Sequence, residues 1–138
     1  MKMKHALATV ALLMGMTSCT TPATDKTLDI NGEWKVTTIQ GEPVPETLEE
    51  TILSFDDSTH SYHGVTGVNT INGSYQLENK ALTLDEGAMT RRMGDSISNE
   101  VEVKYINAIH ATESIAENDG KLELLDGNGN VLMILEKK

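Results

Sequence analysis

From Ile30 onward, apolar and polar residues mostly alternate with a period of two. Trp34, Val36 and Thr38 alternate with Lys35 and Thr37, which predicts a first strand. Gly41 to Pro45 ends it, because proline cannot donate to a ladder. Ile52 to Phe55 predicts a short second strand, stopped by Asp56-Asp57-Ser58, and Ser61 to Val65 a third. A turn-rich stretch follows from Gly67 to Gly73. Ser74 to Leu77 and Ala81 to Leu84 predict a hairpin through Glu78-Asn79-Lys80, and Met89 to Met93 another strand. The period then changes. Ile97, Val101, Tyr105 and Ala108 recur at helical spacing, so one amphipathic helix is predicted from Ser96 to His110. Asp95 or Ser96 is placed to cap it, and Glu100 and Glu102 lie in its N-terminal half, where negative charge is favoured. Leu122 to Leu125 and Val131 to Leu135 predict a closing hairpin across Asp126-Gly127-Asn128-Gly129-Asn130. The last strand is almost wholly apolar, which predicts burial on both faces beneath the helix. The fold class expected is mainly β (α+β), an antiparallel, partly open barrel-like sheet of about eight or nine short strands with one helix packed on it.

The N-terminal region obeys neither period. Lys2 and Lys4 precede an apolar run, Ala6 to Met16, that is too short to cross a bilayer as a helix. It reads as an export signal. Met16-Thr17-Ser18-Cys19 resembles the lipobox of bacterial lipoproteins, with Met16 where leucine is commoner, and Cys19 is the chain's one cysteine. The resemblance implies cleavage before Cys19, then acylation, by palmitate among others, of its thiol and new amino group. More than one acyl chain gives lasting membrane attachment. The chain therefore divides into a signal peptide (1–18), a tether (19–28) and one domain (29–138). The tether lacks large apolar groups apart from Leu28. No acidic run of the kind that marks some surface-exported lipoproteins follows Cys19. The expected address is the bacterial cell envelope, lipid-anchored and facing the periplasm from the outer membrane.

Composition narrows the function classes. Removing residues 1–18 takes away Lys2 and Lys4 and no acid. Nine basic residues remain against 21 acidic ones, a net charge of −12. So acidic a surface argues against nucleic acid and against electrostatic adhesion to anionic lipid. With Cys19 acylated, disulfides, thiolate metal sites and cysteine nucleophiles are excluded. The expected partners are the membrane, through the lipid, and a protein or lipid that the sequence does not identify; the expected state is a monomer.

Four motifs share an order. Gly32-Glu33-Trp34 opens the first strand, Gly67-Val68-Asn69 precedes Gly73-Ser74-Tyr75, Thr90-Arg91-Arg92-Met93 precedes the helix, and Leu122-Glu123-Leu124-Leu125-Asp126 runs on to Gly129. In this order and spacing the chain, from about Ile30 to Leu135, resembles the META domain family, which includes the HslJ-like envelope proteins of the bacterial heat-shock response. The resemblance implies a small sheet-and-helix fold like a partly open barrel and an association with envelopes and stress. It implies no established enzymatic activity. The family often carries a cysteine in each of its two central motifs, and these could pair. Here Val68 and either Gly94 or Asp95 stand in their places, so a redox or disulfide role is lost. Without the family, Gly64, Gly67 and Gly73 fit bent strand corners, Asn69 suits a turn, and Tyr75 offers a ring to the core.

Candidate chemistry is sparse. The serines lie in no nucleophile elbow. His60 and His63 are three apart on a predicted strand and should face opposite sides, which suits no metal site; His110 suits a helix C-terminus. Asp126 to Asn130 begins like a calcium loop but has Val131 at the sixth position and Lys137 at the twelfth, so a hairpin turn is expected. No phosphate-cradling loop or dinucleotide fingerprint is present, and neither cofactor nor metal is expected. Asp95-Ser96-Ile97 resembles a short O-glycosylation acceptor of some Bacteroidetes. Arg91 and Arg92 stand out in an acidic chain as contacts for an anion or ligand, or as partners of nearby acids. The leading expectation is a non-enzymatic binding or chaperone-like domain on a lipid anchor. The alternatives are a small apolar-ligand carrier, given an open barrel, and a hydrolase built on Asp56, Asp57, Asp85 and Glu86.

Overall fold

The computed structural model describes residues 28–138 except Thr47 and Glu49. The signal peptide, Cys19 and tether residues 19–27 lie outside the described residues. Ten strands and one helix follow in chain order: β1 (Gly32–Ile39), β2 (Glu42–Pro43), β3 (Ile52–Asp56), β4 (Ser61–Val65), β5 (Thr70–Glu78), β6 (Ala81–Leu84), β7 (Ala88–Met89), α1 (Ser96–Ala111), β8 (Ser114–Asn118), β9 (Lys121–Leu125) and β10 (Val131–Lys137). Every pairing is antiparallel. Eight strands, in the order β1-β3-β4-β5-β6-β8-β9-β10, form a sheet that closes on itself where β10 pairs with β1. β2 folds back on β1, and β7 pairs with β5. The narrowest seam joins β6 to β8. Only Ala81 stands opposite Ser114 there, helped by backbone bonds from Leu82 to Glu113 and from Ile115 to Lys80. The fold is mainly β with one helix, as the alternation predicts.

Alternation along each strand sends one set of side chains inward. Trp34, Val36, Leu53, Phe55, Tyr62, Ile71, Tyr75, Leu82, Leu124, Met133 and Leu135 are buried together. Phe55 and Tyr75 meet edge to face at 5.2 Å between centroids, the geometry that ring quadrupoles favour. The Trp34 indole N–H donates to the carbonyl of the buried Ile30 at 2.9 Å. Lys137 lies 4.9 Å from the Trp34 ring centroid and donates to the Asn31 carbonyl. Leu28, at the end of the expected tether, packs partly buried against this core.

The helix begins where Asp95 accepts the Ser98 N–H at 2.7 Å; bonds from Ser98 hold its carboxyl below the usual aspartate range. It ends at Thr112, whose hydroxyl donates to the Ala108 carbonyl. Lys104 reaches Glu42 at 2.6 Å, an exposed contact that ties α1 to the β1–β2 hairpin. Tyr105 is fully buried, and its hydroxyl donates to the Ile52 carbonyl at 2.7 Å. Gly64 makes room for it: a Cβ there would run into the Tyr105 hydroxyl and lie 2.8 Å from Ile71.

Several features depart from the sequence expectation, among them β5, which begins at Thr70 inside the stretch Gly67 to Gly73 expected to be turns, and β2, which lies inside the expected break. β8 was not expected, because Ser114 to Asn118 offers one buried apolar residue, Ile115, and no alternation. The strand expected from Met89 to Met93 shrinks to Ala88–Met89, and the chain beyond it is held as a loop by side-chain bonds. The helix is also rotated. Ser98, Tyr105, Ala108 and Ile109 are buried, whereas Ile97 is 51% exposed and Val101 half-buried. The cause is polar: Glu102 is drawn toward the β4–β5 turn.

Candidate functional site

The residues that carry the central motifs converge on Asn69. Gly67, at φ +99°, turns the chain between β4 and β5 and leaves Asn69 almost wholly buried. The Asn69 side chain uses its full hydrogen-bonding capacity. Its amide nitrogen donates to the Arg92 carbonyl and to Glu102 Oε1, both at 2.8 Å. Its oxygen accepts the Thr90 hydroxyl at 2.8 Å and the Arg92 N–H at 2.6 Å. Thr66, also buried, donates to Glu102 Oε1 at 2.9 Å and accepts the Asn69 N–H at 2.9 Å. The Arg92 guanidinium donates to the Val68 carbonyl at 2.9 Å. One amide thus joins the β4–β5 turn, the Thr90–Met93 loop and α1. Buried polar groups partnered in this way specify a unique arrangement.

Of the two arginines singled out in the sequence, neither forms an ion pair among the described residues. Arg92 belongs to the Asn69 cluster through its backbone and its guanidinium, and Arg91 is exposed beside it. Sequence reasoning missed Thr66 and read Glu102 only as a favourable charge in the N-terminal half of the helix. Glu102 lies off the expected stripe of Ile97, Val101, Tyr105 and Ala108, so the helical pattern carried no signal for it. Gly94 packs on Val68: a Cβ at Gly94 would lie 2.8 Å from Val68 Cγ2, while Asp95 is the helix cap.

The remaining candidates are dispersed. Asp56 accepts the Ser58 hydroxyl and N–H, which lowers its carboxyl below the ordinary range, and Asp85 accepts the Ser74 N–H. Both hold turns. Asp126 accepts the N–H groups of Asn128 and Asn130 and closes the β9–β10 turn in the same way. His60 sits in the β3–β4 turn at φ +55° rather than on a strand; His63 is exposed on β4, and His110 is in the last helical turn. Burial, with Asp85 adding repulsion, pushes the Tyr62 phenol up to about 12, and burial raises Tyr105 further, so both stay protonated as donors. No group of three or more His, Cys, Asp and Glu among the described residues is arranged to hold a metal ion. No helix among them is long and apolar enough to cross a membrane. Tyr62, Tyr105, Leu53 and Met133 occupy the space within the ring that a carrier would need.

Three solved structures share this fold. An NMR structure of a protein from Burkholderia xenovorans matches with a TM-score of 0.64 at 17% identity, over 96% of this chain and 99% of its own. A second NMR structure matches with a TM-score of 0.61 at 19% identity, over 86% and 95%. A crystal structure of a DUF4847 family protein from Bacteroides vulgatus matches with a TM-score of 0.59 at 14% identity, over 79% and 94%. No curated protein matches the chain. The META domain profile matches residues 26–138, which takes in the whole ring, the helix and the Asn69 cluster: the chain belongs to the META domain family.

Proposed function

We propose that this protein is an HslJ-like envelope lipoprotein, fastened to the periplasmic side of the outer membrane by lipid on Cys19. Its META domain works as a non-enzymatic binding or chaperone-like module under envelope stress. The observation that carries the reading is the use made of the motif residues. Asn69, Thr90 and Arg92 are bonded to one another and to Glu102, so they serve architecture, and recognition falls to the outer surface of a rigid body. The anchoring is supported by the sequence Met16-Thr17-Ser18-Cys19 at the end of the apolar run Ala6 to Met16. Two measurements test this. Cys19→Ala should lose palmitate label and leave the membrane fraction; an unmodified thiol at the purified N-terminus would overturn the anchor. Crosslinking of the acylated protein in its native membrane should recover a bound partner. Recovery of none, together with turnover of a sugar or peptide panel, would overturn the non-enzymatic reading.

A further inference from the structure

Thr90 and Arg92 are taken up by the Asn69 cluster, whereas Met93, which closes the same motif, is 87% exposed. It is the most exposed large apolar side chain among the described residues. The domain's other two methionines differ: Met89 is half-buried against the core, and Met133 is fully buried. A thioether left in water gains nothing from burial, so core packing does not account for a methionine at this position. Met93 nonetheless has a partner. The Asn99 amide nitrogen donates to Met93 Sδ at 3.5 Å and to the Gly94 carbonyl at 3.0 Å. The Asn99 side-chain oxygen accepts the Gly94 N–H at 3.0 Å, and the Asn99 backbone N–H donates to the Asp95 carbonyl at 2.9 Å. One residue in the first turn of α1 thus holds both the thioether and the loop that leads into the helix.

A thioether sulfur is a weak acceptor, so the bond from Asn99 is a weak one. The same sulfur is a nucleophile, and at Met93 it is open to solvent. Its lone pair can attack one oxygen of a peroxide. The S–O bond forms as the O–O bond breaks, and a proton shift releases the second oxygen as water. Sulfur loses two electrons and the peroxide gains them. The product is a polar sulfoxide, which disrupts packing when it forms inside a core. At Met93 no burial is lost. The new oxygen is a stronger acceptor than the sulfur, and it arises beside a donor that already faces Sδ. A side chain this exposed has room to swing and admit the extra atom. We infer that Met93 is a site of reversible oxidation to the sulfoxide by a peroxide, and that the Asn99 amide carries the change into the first turn of α1. The return step belongs to a thiol-dependent methionine sulfoxide reductase, in which two thiols become a disulfide and the oxygen leaves as water. Cys19 is the chain's one cysteine, so the reductase supplies both thiols. Neither the lipid on Cys19 nor a binding partner is needed for any of these steps.

The test treats the full chain, in detergent micelles, with hydrogen peroxide and follows sulfoxide in tryptic peptides by mass spectrometry. Cleavage after Arg91 and after Arg92 puts Met89 and Met93 on different peptides. Met93 should oxidise first, about tenfold or more ahead of Met89. It should lead Met133 by about a hundredfold or more, because peroxide reaches a buried thioether only when the fold opens. In nitrogen-15 spectra, oxidation should shift the Asn99 side-chain amide more than that of Asn107, an exposed asparagine on the same helix. Met93→Leu should abolish that shift. The melting temperature should stay within about 3 °C of the reduced protein. The two methionine sulfoxide reductases, one for each epimer, should restore both the mass and the spectrum. Met89 or Met133 keeping pace with Met93, an Asn99 amide that does not move, a larger fall in melting temperature, or a sulfoxide that the reductases leave in place would each overturn the site.

Discussion

Substituting leucine at Asn69 tests whether the Asn69 cluster is what joins the helix to the ring. Leucine nearly preserves the volume and removes four side-chain bonds at once. It leaves the Arg92 N–H and carbonyl without their partner and Glu102 Oε1 with Thr66 alone. A buried group stripped of its partner costs about 1–3 kcal/mol. Arg92 lies at the surface, where water can replace part of the loss, and leucine recovers some apolar burial. The net expectation is about 3 kcal/mol, a large share of the 5–15 kcal/mol roughly typical of a domain. In a domain of this size each kcal/mol moves the melting temperature by about 4–6 °C, so a fall of about 12–18 °C should appear in a thermal scan followed by circular dichroism. Asn69→Asp should be as damaging near neutral pH, because it places a carboxylate oxygen against Glu102. Its deficit should shrink as the pH approaches about 4 and the new acid protonates. Asn72→Ala, an exposed change on β5, is the control and should stay within about 2 °C of the parent. An Asn69→Leu variant melting with the parent would refute the reasoning, because the bonds would then be incidental to the fold.

Other consequences of the packing can be measured in the same way. Tyr105→Phe should cost about 1–2 kcal/mol in urea unfolding, since it strands the buried Ile52 carbonyl. Gly64→Ala should cost about 1–3 kcal/mol by overpacking against that hydroxyl, and the double variant should cost less than the sum, since phenylalanine removes one of the colliding atoms. Val68→Cys with Gly94→Cys should oxidise to a disulfide, seen as loss of free thiol: the Gly94 Cβ position lies 2.8 and 3.4 Å from the two Val68 methyls, bracketing the separation of about 3 Å that a disulfide places between one sulfur and the other Cβ. Closing that loop should add about 3 kcal/mol. The Asp95 cap should show in the pH profile. Its carboxyl is lower in the folded state, so its stabilisation is present above the unfolded value of about 4 and is lost as the pH falls through the folded one. The gap between parent and Asp95→Ala should hold from pH 7 to about 4 and close below that range.

The ring was legible in the sequence because one physical rule governs most of it. Alternation placed Trp34, Val36, Tyr62 and Tyr75 inward, and turn residues punctuated the strands. Each β-strand needs only its own pattern to declare which face is wet. β8 escaped because its place is fixed by neighbours, through Leu122 opposite Glu117 and Leu124 opposite Ile115, rather than by apolar residues of its own. The orientation of the helix escaped for another reason. Helical spacing of Ile97 and Val101 with Tyr105 pointed to a single apolar stripe, but an apolar stripe fixes a helix only as closely as nondirectional burial allows. Hydrogen bonds that Glu102 accepts from Asn69 and Thr66, and that Tyr105 donates to the Ile52 carbonyl, are directional, and they set the rotation.

The same contrast explains how this chain does without the cysteines its relatives often carry at the two central motifs. A covalent staple between the β4–β5 turn and the loop before α1 would act mainly on the unfolded chain. Here that junction is closed from the folded side, by Val68 packed on Gly94 and by an amide with every bond made. Such a closure is independent of the redox state of the compartment. It depends instead on all its members being present together, because a polar network missing one partner leaves the others buried and unpaired. The junction should therefore fail all at once: loss of Asn69, Thr66 or Glu102 should each release the helix N-terminal half and the Thr90–Met93 loop together. Hydrogen exchange can decide the matter. If the amides of Arg92 and of Ser98 and Asn99 gain exchange in parallel across the three single variants, the cluster is one cooperative unit; if each variant loosens only its own segment, the bonds are separate and the network is not what closes the fold.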